Sequence, residues 1–229
     1  LQLHVFCIID RIDGKDNGDM KNQVILFQGD SITDCGRARD AGGPNIGLGT
    51  GYAFLAASHL LCTHAGEGLQ FYNRGISGNR IVDLYARWKV DGLNLNPDVI
   101  SILIGVNDTW HEFGSKNGVE IPRFEQFYRM LLEWTVQARP GIKLVLCEPF
   151  VFAHGAVGPD WVPEINQRRD ITRAMAKEFN AILIPFQEIF NAALQRAPGE
   201  YWLGDGVHPT SAGHQLMADA WLKATSGLI

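Results

Sequence analysis

Val24-Ile25-Leu26-Phe27, followed at once by Gln28-Gly29-Asp30-Ser31-Ile32-Thr33, is the stretch that decides the fold of this chain. An apolar run of that length reads as a buried strand. A small residue and then a serine at its C-terminal end place a hydroxyl at the rim of a parallel sheet, where α/β proteins carry their chemistry. Gly-Asp-Ser alone is also an ordinary turn and N-cap sequence, so the stretch needs partners elsewhere.

Four more apolar runs lie downstream, at Leu69–Asn73, Val99–Ile104, Lys143–Cys147 and Ala181–Ile184. Helical patterns alternate with them. Gly51–His64 carries Phe54, Leu55, His59, Leu60 and Leu61 at helical spacing, and Ile81–Val90 forms a second segment. Arg123–Arg139 shows one apolar face of Phe124, Phe127, Met130, Leu131 and Trp134, closed by Pro140-Gly141. Glu164–Phe179, Phe186–Arg196 and Ser211–Ala224 complete the set, the last with Thr210 or Ser211 as N-cap. Uniformly apolar strands alternating with helices predict an α/β fold: a three-layer α/β/α sandwich around a five-stranded parallel sheet, flavodoxin-like in arrangement. Residues 20–229 read as a single domain, because no repeat, low-complexity tract or linker divides them. Residues 1–19 read as an extension outside the core fold.

Composition removes several classes of partner. The net charge of −5, with no basic run of five or more residues, argues against a nucleic-acid partner. No stretch approaches the ~20 apolar residues needed to span a bilayer, so no membrane partner is expected. Leu3–Ile9 is apolar but short, lacks a basic flank and precedes the polar Asp10–Lys21, so it does not read as a signal peptide. Cys7, Cys35, Cys62 and Cys147 show neither CxxC spacing nor a Cys/His cluster. They read as free thiols of a cytoplasmic, reducing compartment, not as zinc ligands. The sequence leaves a homo-oligomer open.

Ligands of open parallel sheets bind beyond the C-terminal strand ends. Three further loops there matter: Asn73-Arg74-Gly75-Ile76-Ser77-Gly78-Asn79, Gly105-Val106-Asn107-Asp108, and Asp205-Gly206-Val207-His208-Pro209 just before the last helix. Together with Ser31 they offer a hydroxyl, backbone and amide donors, a carboxylate and an imidazole. Acyl transfer from an ester needs that inventory: nucleophile, base, base-orienting acid and oxyanion donors.

With these blocks the chain resembles the SGNH, or GDSL-type, hydrolase family, from about Gly29 to about His214. The blocks occur in the family's order as Gly-Asp-Ser at 29–31, Asn-x-Gly-x-Ser-Gly at 73–78, Gly-x-Asn-Asp at 105–108 and Asp-x-x-His at 205–208. Ile32 replaces the leucine of the name motif, a change of local packing only. The resemblance implies Ser31 as nucleophile, His208 as general base and Asp205 as its orienting acid. It implies Gly78 N–H and the Asn107 amide as oxyanion donors, with Ser31 N–H as a third donor if it opens a helical turn. Such a serine mechanism requires no metal or organic cofactor. The stretches 30–39, 48–52, 75–79, 83–88 and 104–110 are most similar to the bacterial carbohydrate acetylesterase (acetyl xylan esterase) branch. They imply a small-molecule acyl ester as substrate, with acetyl on a sugar or xylo-oligosaccharide foremost. Trp110 and Trp202 are candidates to wall a small acyl pocket and read equally as core packing.

Position separates the competing residues. Asp108-Thr109-Trp110-His111 is also Asp-x-x-His, but Asp108 already belongs to the third block and His111 leads into a polar stretch, Glu112–Gly118. Pro209 holds His208 in extended backbone at a loop edge, which favours His208 as the base. His59, His64 and His214 read as surface or packing residues. Asp30 and Asp108 read as loop-fixing, and Arg37, Arg74 and Arg80 as solvated surface arginines. Gly47-Leu48-Gly49-Thr50-Gly51 reads as the loop into the first long helix. Three rival functions stand beside the short-acyl esterase. One is a lysophospholipase or thioesterase of the same family, acting on longer acyl chains. Another is a metal-dependent phosphoesterase with Asp30, Asp34, Asp108, Asp205 and His208 as ligands. The third is a flavodoxin-like module whose Ser31–Thr33 loop cradles a phosphate.

Overall fold

The computed structural model describes residues 21–229, so the expected extension at 1–19 lies outside the described residues. Strand β1 (Val24–Gly29) has a parallel partner on each side, β2 (Gln70–Asn73) and β3 (Val99–Leu103). Ile25 stands opposite Phe71 on one side and Val99 on the other. β4 (Lys143–Cys147) and β5 (Ile182–Ile184) continue beyond β3, giving the order β2-β1-β3-β4-β5. All pairs are parallel, so every C-terminal strand end lies on one rim. The chain passes from β1 to β2 on one side and then crosses back over β1 to β3 on the other, so the strand order reverses there. Ser31 therefore follows the strand at the topological switch point, where a crevice opens.

The helices in chain order are α1 (Ser31–Asp34), α2 (Tyr52–Thr63), α3 (Ile81–Asp91), α4 (Val106–Ser115) and α5 (Ile121–Ala138). They continue as α6 (Trp161–Glu178), α7 (Phe186–Ala193), α8 (Gly199–Trp202) and α9 (Ser211–Thr225). Alternate strand residues divide the core into two halves, because successive strand side chains point to opposite faces. Ile25, Phe27, Val145 and Cys147 pack with Tyr52, Phe186, Phe190 and Trp221 from α2, α7 and α9. Leu26, Ile100, Ile102 and Leu146 pack with Leu84, Trp88, Tyr128 and Met175 from α3, α5 and α6. Each large side chain so buried contributes about 1.5–3 kcal/mol. The two buried indoles also satisfy their polar tips: Trp221 Nε1 donates to Ser101 Oγ at 3.0 Å and Trp88 Nε1 to Thr135 Oγ1 at 2.9 Å.

The expected three-layer sandwich and five-stranded parallel sheet are present, with strand ends shifted by a residue or two. Helices α4 and α8 have no counterpart in the sequence pattern, while α1 is the helical turn opening at Ser31 on which a third oxyanion donor depended. The polar stretch expected at Glu112–Gly118 is a helix as far as Ser115. Residues 113–117 stay exposed, while the polar first turn of α4, Asn107, Asp108 and Thr109, folds inward because partners from other elements satisfy it. Arg168, fully buried on α6, donates to Thr109 Oγ1 at 2.9 Å and to Val119 O at 2.7 Å. Among the described residues no helix is long and apolar enough to cross a membrane, and Cys35, Cys62 and Cys147 are free thiols. Cys7 lies outside the described residues.

Candidate active site

Ser31 is presented by a turn that leaves no room for larger residues. A Cβ on Gly29 would collide with Leu103 O and Thr33 Oγ1, so only glycine lets β1 run this close to β3. Asp30 then caps the single helical turn of α1, its Oδ1 accepting Ile32 N–H at 3.0 Å. Ser31 is the first residue of that turn, and its N–H is one of the amides a helix start leaves unpaired. Thr33 ties the turn to α2 through Tyr52, hydroxyl to hydroxyl at 3.1 Å.

The imidazole arrives on the loop between α8 and α9. Leu203 and Pro209 form an isolated antiparallel bridge, and Gly204 N–H donates to His208 O at 3.0 Å. Inside this loop Asp205 Oδ1 accepts Val207 N–H at 2.9 Å and His208 N–H at 2.7 Å. Asp205 Oδ2 accepts His208 Nδ1–H at 2.7 Å. That bond puts the ring proton on Nδ1 and leaves Nε2 as an acceptor, facing Ser31 Oγ at 2.9 Å. Burial pushes the Asp205 carboxyl up, but its bonds to His208 and Val207 outweigh this and hold it below the usual carboxylate range. Trp202 sits under the loop, 3% exposed, its indole N–H donating to Ala197 O at 3.2 Å and its carbonyl accepting Thr210 N–H. Of the two readings given to Trp202, pocket wall and core packing, the burial corrects the first and bears out the second: the side chain fills the core and buttresses the loop. Trp110, from α4, does lie at the site, its ring centroid 5.8 Å from that of His208.

The loop after β2 is locked to the serine turn. Gly78 has φ +84°, a conformation that suits glycine, and a Cβ there would meet only open space. Just before it, Ser77 donates both N–H and Oγ–H to Asp34 Oδ2 at 2.9 Å each, while Arg39 donates to the same oxygen at 2.7 Å. Burial raises the Asp34 carboxyl, yet the Arg39 and Ser77 bonds outweigh it and hold the group low. Asn73 donates to Thr33 O at 2.6 Å and Leu48 O at 2.9 Å, and Arg37 donates to Gly75 O. Arg87 spans the same region, donating to Asn79 Oδ1 at 2.7 Å, Arg74 O at 2.8 Å and Gly29 O at 3.4 Å. Asn107, 6% exposed at the start of α4, donates one amide hydrogen to Asn79 O at 3.2 Å. Ser31, Gly78, Asn107, His208 and Asp205 are thus gathered at one rim.

Sequence reasoning missed the latches of this arrangement. Arg37 and Arg80 are not solvated surface groups: Arg37 is buried, and Arg80 holds Asp83 at 2.9 Å and Asn117 O at 2.7 Å. Asp34 enters the sequence reading only as a ligand of the rival metal-dependent phosphoesterase, since nothing in a linear string reports that Ser77 will stand beside it. Asp108 accepts Ile81 N–H at 3.0 Å and so caps α3, which commits the carboxylate of the Asp108-x-x-His111 stretch to a backbone amide. Burial pushes both Asp30 and Asp108 up to about 7. His214 is buried and accepts Tyr52 N–H on Nδ1 at 3.2 Å. Burial, and then the charge on His208, brings it down to about 4. Among the described residues no three His, Cys, Asp or Glu side chains are placed to hold a metal ion.

Residues 27–216 match the GDSL-like lipase/acylhydrolase family. The chain is 35% identical over 207 residues to an acetylxylan esterase of Geobacillus stearothermophilus, covering 88% of this chain and 93% of that protein. The crystal structure of Axe2, an acetylxylan esterase from Geobacillus stearothermophilus, superposes with a TM-score of 0.81 at 33% identity, over 89% of this chain and 94% of that one. A GDSL-like protein from Parabacteroides merdae is 46% identical with a TM-score of 0.87, over 90% of this chain and 96% of its own.

Proposed function

The chain belongs to the GDSL-like lipase/acylhydrolase family and is a carboxylic ester hydrolase; on that premise we propose that it removes short acyl groups, acetyl foremost, from sugars such as xylo-oligosaccharides by way of a Ser31–His208–Asp205 triad. The observation that carries the proposal is the continuous relay from Ser31 Oγ to His208 Nε2 at 2.9 Å and from His208 Nδ1 to Asp205 at 2.7 Å.

In the first step Ser31 Oγ attacks the ester carbonyl carbon as its proton passes to His208 Nε2. Asp205 stabilises the imidazolium that forms. The carbonyl oxygen gains negative charge and is met by Ser31 N–H, Gly78 N–H and the second amide hydrogen of Asn107. The C–O bond to the alcohol then breaks, and His208 returns its proton to the departing oxygen. Water, deprotonated by the same histidine, attacks the acyl-enzyme and releases the acid with Ser31 restored. The acetylated-carbohydrate substrate rests on the acetylxylan esterase relatives. The free thiols of Cys35, Cys62 and Cys147 fit a reducing compartment.

One preparation assayed on p-nitrophenyl esters of increasing chain length, beside acetylated xylo-oligosaccharides, tests both halves. Acetate should be the preferred acyl group and the oligosaccharides should release it. A preference for long acyl chains would replace the substrate reading by a lysophospholipase or thioesterase and leave the triad standing. Ser31→Ala should lower kcat by ~10⁴ or more, and activity near wild type would remove the triad itself.

A further inference from the structure

A row of aromatic rings runs outward from the imidazole of His208. Trp110 lies 5.8 Å from it between centroids, Trp161 meets Trp110 edge-on at 5.2 Å, and Phe113 stacks on Trp161 at 5.9 Å with only 14° between planes. Trp161 is 6% exposed and serves as the wedge between α4 and α6, whereas Phe113 is 43% exposed. Trp110 and Phe113 are three residues apart on α4 and therefore share one helix face. Phe113 is thus the outer end of a continuous series of ring contacts that begins at the imidazole, and it keeps part of its ring in water. The packing supports it from behind, so the ring is held in one orientation.

The chemistry says which half of the ester this row would meet. The acyl carbonyl oxygen must face the donors on Gly78 and Asn107, while the departing oxygen must come within reach of His208 Nε2, which protonates it. The alcohol half is thus delivered to the side where His208 stands, and the ring packed on His208 is Trp110. A sugar has the right surface for such a row: its axial C–H faces stack on aromatic planes, and its hydroxyls seek acceptors at the edge.

We infer that Trp110 and Phe113 form a subsite for the alcohol half of the substrate, Trp110 receiving the sugar ring that carries the ester and Phe113 a neighbouring ring of the same oligosaccharide. The inference rests on the acetyl-sugar reading above and adds to it where the sugar lies. The row is absent from the sequence motifs, because Phe113 and Trp161 sit 48 positions apart and neither belongs to a family block.

Phe113→Ala and Phe113→Trp test it, since an exposed side chain can be changed without opening the core. Both would be assayed on acetylated xylotriose and on p-nitrophenyl acetate, whose leaving group reaches no further than Trp110. With Phe113→Ala, KM for acetylated xylotriose should rise about two- to ten-fold, the range of one aromatic stacking contact. Its kcat, and both constants for p-nitrophenyl acetate, should stay within two-fold, and Phe113→Trp should restore KM. An unchanged KM for acetylated xylotriose in Phe113→Ala, with wild type deacetylating it normally, overturns the subsite and leaves the acetyl-sugar reading intact. An equal loss on both substrates overturns it as well, since that marks damage to the catalytic groups. A wild-type enzyme that cleaves p-nitrophenyl acetate but releases no acetate from the oligosaccharide overturns the substrate reading, and the subsite with it.

Discussion

Replacing Asp34 by alanine tests whether the oxyanion loop owes its position to a single carboxylate. Asp34 Oδ2 accepts two hydrogen bonds from Ser77 at 2.9 Å and one from Arg39 at 2.7 Å. Bonds to a charged acceptor contribute about 1.5–3 kcal/mol each when buried. Ser77 is exposed and can turn to water, so its pair is reckoned together at about 2–3 kcal/mol. Arg39 is 56% exposed and adds about 0–1 kcal/mol. Asp34→Ala should therefore destabilise the fold by about 2–4 kcal/mol, read as a shift in the urea midpoint at pH 7. Because Ser77 precedes Gly78, the same change should free the Gly78 N–H from its aim and lower kcat on p-nitrophenyl acetate by about 10², near the cost of one lost oxyanion donor. Asp34→Asn keeps an oxygen for Ser77 and should lose no more than about ten-fold in kcat. The carboxyl is held below its ordinary value of 3.8, so its stabilisation is complete above that value and disappears as pH falls through the lower folded value. The stability gap between wild type and Asp34→Ala should accordingly close below about pH 4. A variant that loses the expected stability yet keeps wild-type kcat would refute the idea that this latch aims Gly78.

Asn107→Ala should lower kcat on p-nitrophenyl acetate by ~10²–10³ with KM little altered, as measured by steady-state kinetics; an unaltered kcat would take the amide out of the oxyanion site. Arg87→Ala, which unties Asn79, Arg74 and Gly29 at once, should cost about 10–10² in kcat, and Arg87→Lys should recover only part of it because one ammonium cannot reach three acceptors in fixed directions. Gly29→Ala should lower stability by about 2–3 kcal/mol or more, since the new methyl meets the backbone carbonyl of Leu103; a urea midpoint equal to wild type would contradict the close approach. Asp205→Asn should lower kcat by about 10⁴ and leave the loop folded, because the amide oxygen can still accept Val207 and His208 N–H while the ring loses its charged partner.

The central strands β1, β3 and β4 were legible because each is a run of apolar residues buried on both faces, whereas the edge strands β2 and β5 are short and only partly buried and stood out by their place in the alternation with helices. Ser31, Gly78, Asn107, Asp205 and His208 stood out because the loops that hold them fall directly after strands or before a helix. Helix α4 was not legible. Its first turn, Asn107-Asp108-Thr109, is polar and reads as a loop until Ile81 and Arg168 are known to satisfy it. Arg168 shows the same limit from the other side. An arginine on a helix reads as solvent-facing, and only the folded chain shows it buried against Phe124, with its charge 5.0 Å from that ring's centroid. Trp202 was ambiguous for a related reason: an indole beside a catalytic loop can face the substrate or support the loop, and sequence spacing does not separate the two.

The all-parallel sheet gives the molecule a working end and an idle one. The turn Pro140-Gly141, exposed between α5 and β4, lies at the idle end, because it leads into the start of a strand instead of leaving its finish. An affinity peptide or a solid support attached at Gly141 would meet the face farthest from Ser31. Such an anchored enzyme would turn its mouth toward the solution, with the support held clear of arriving substrate.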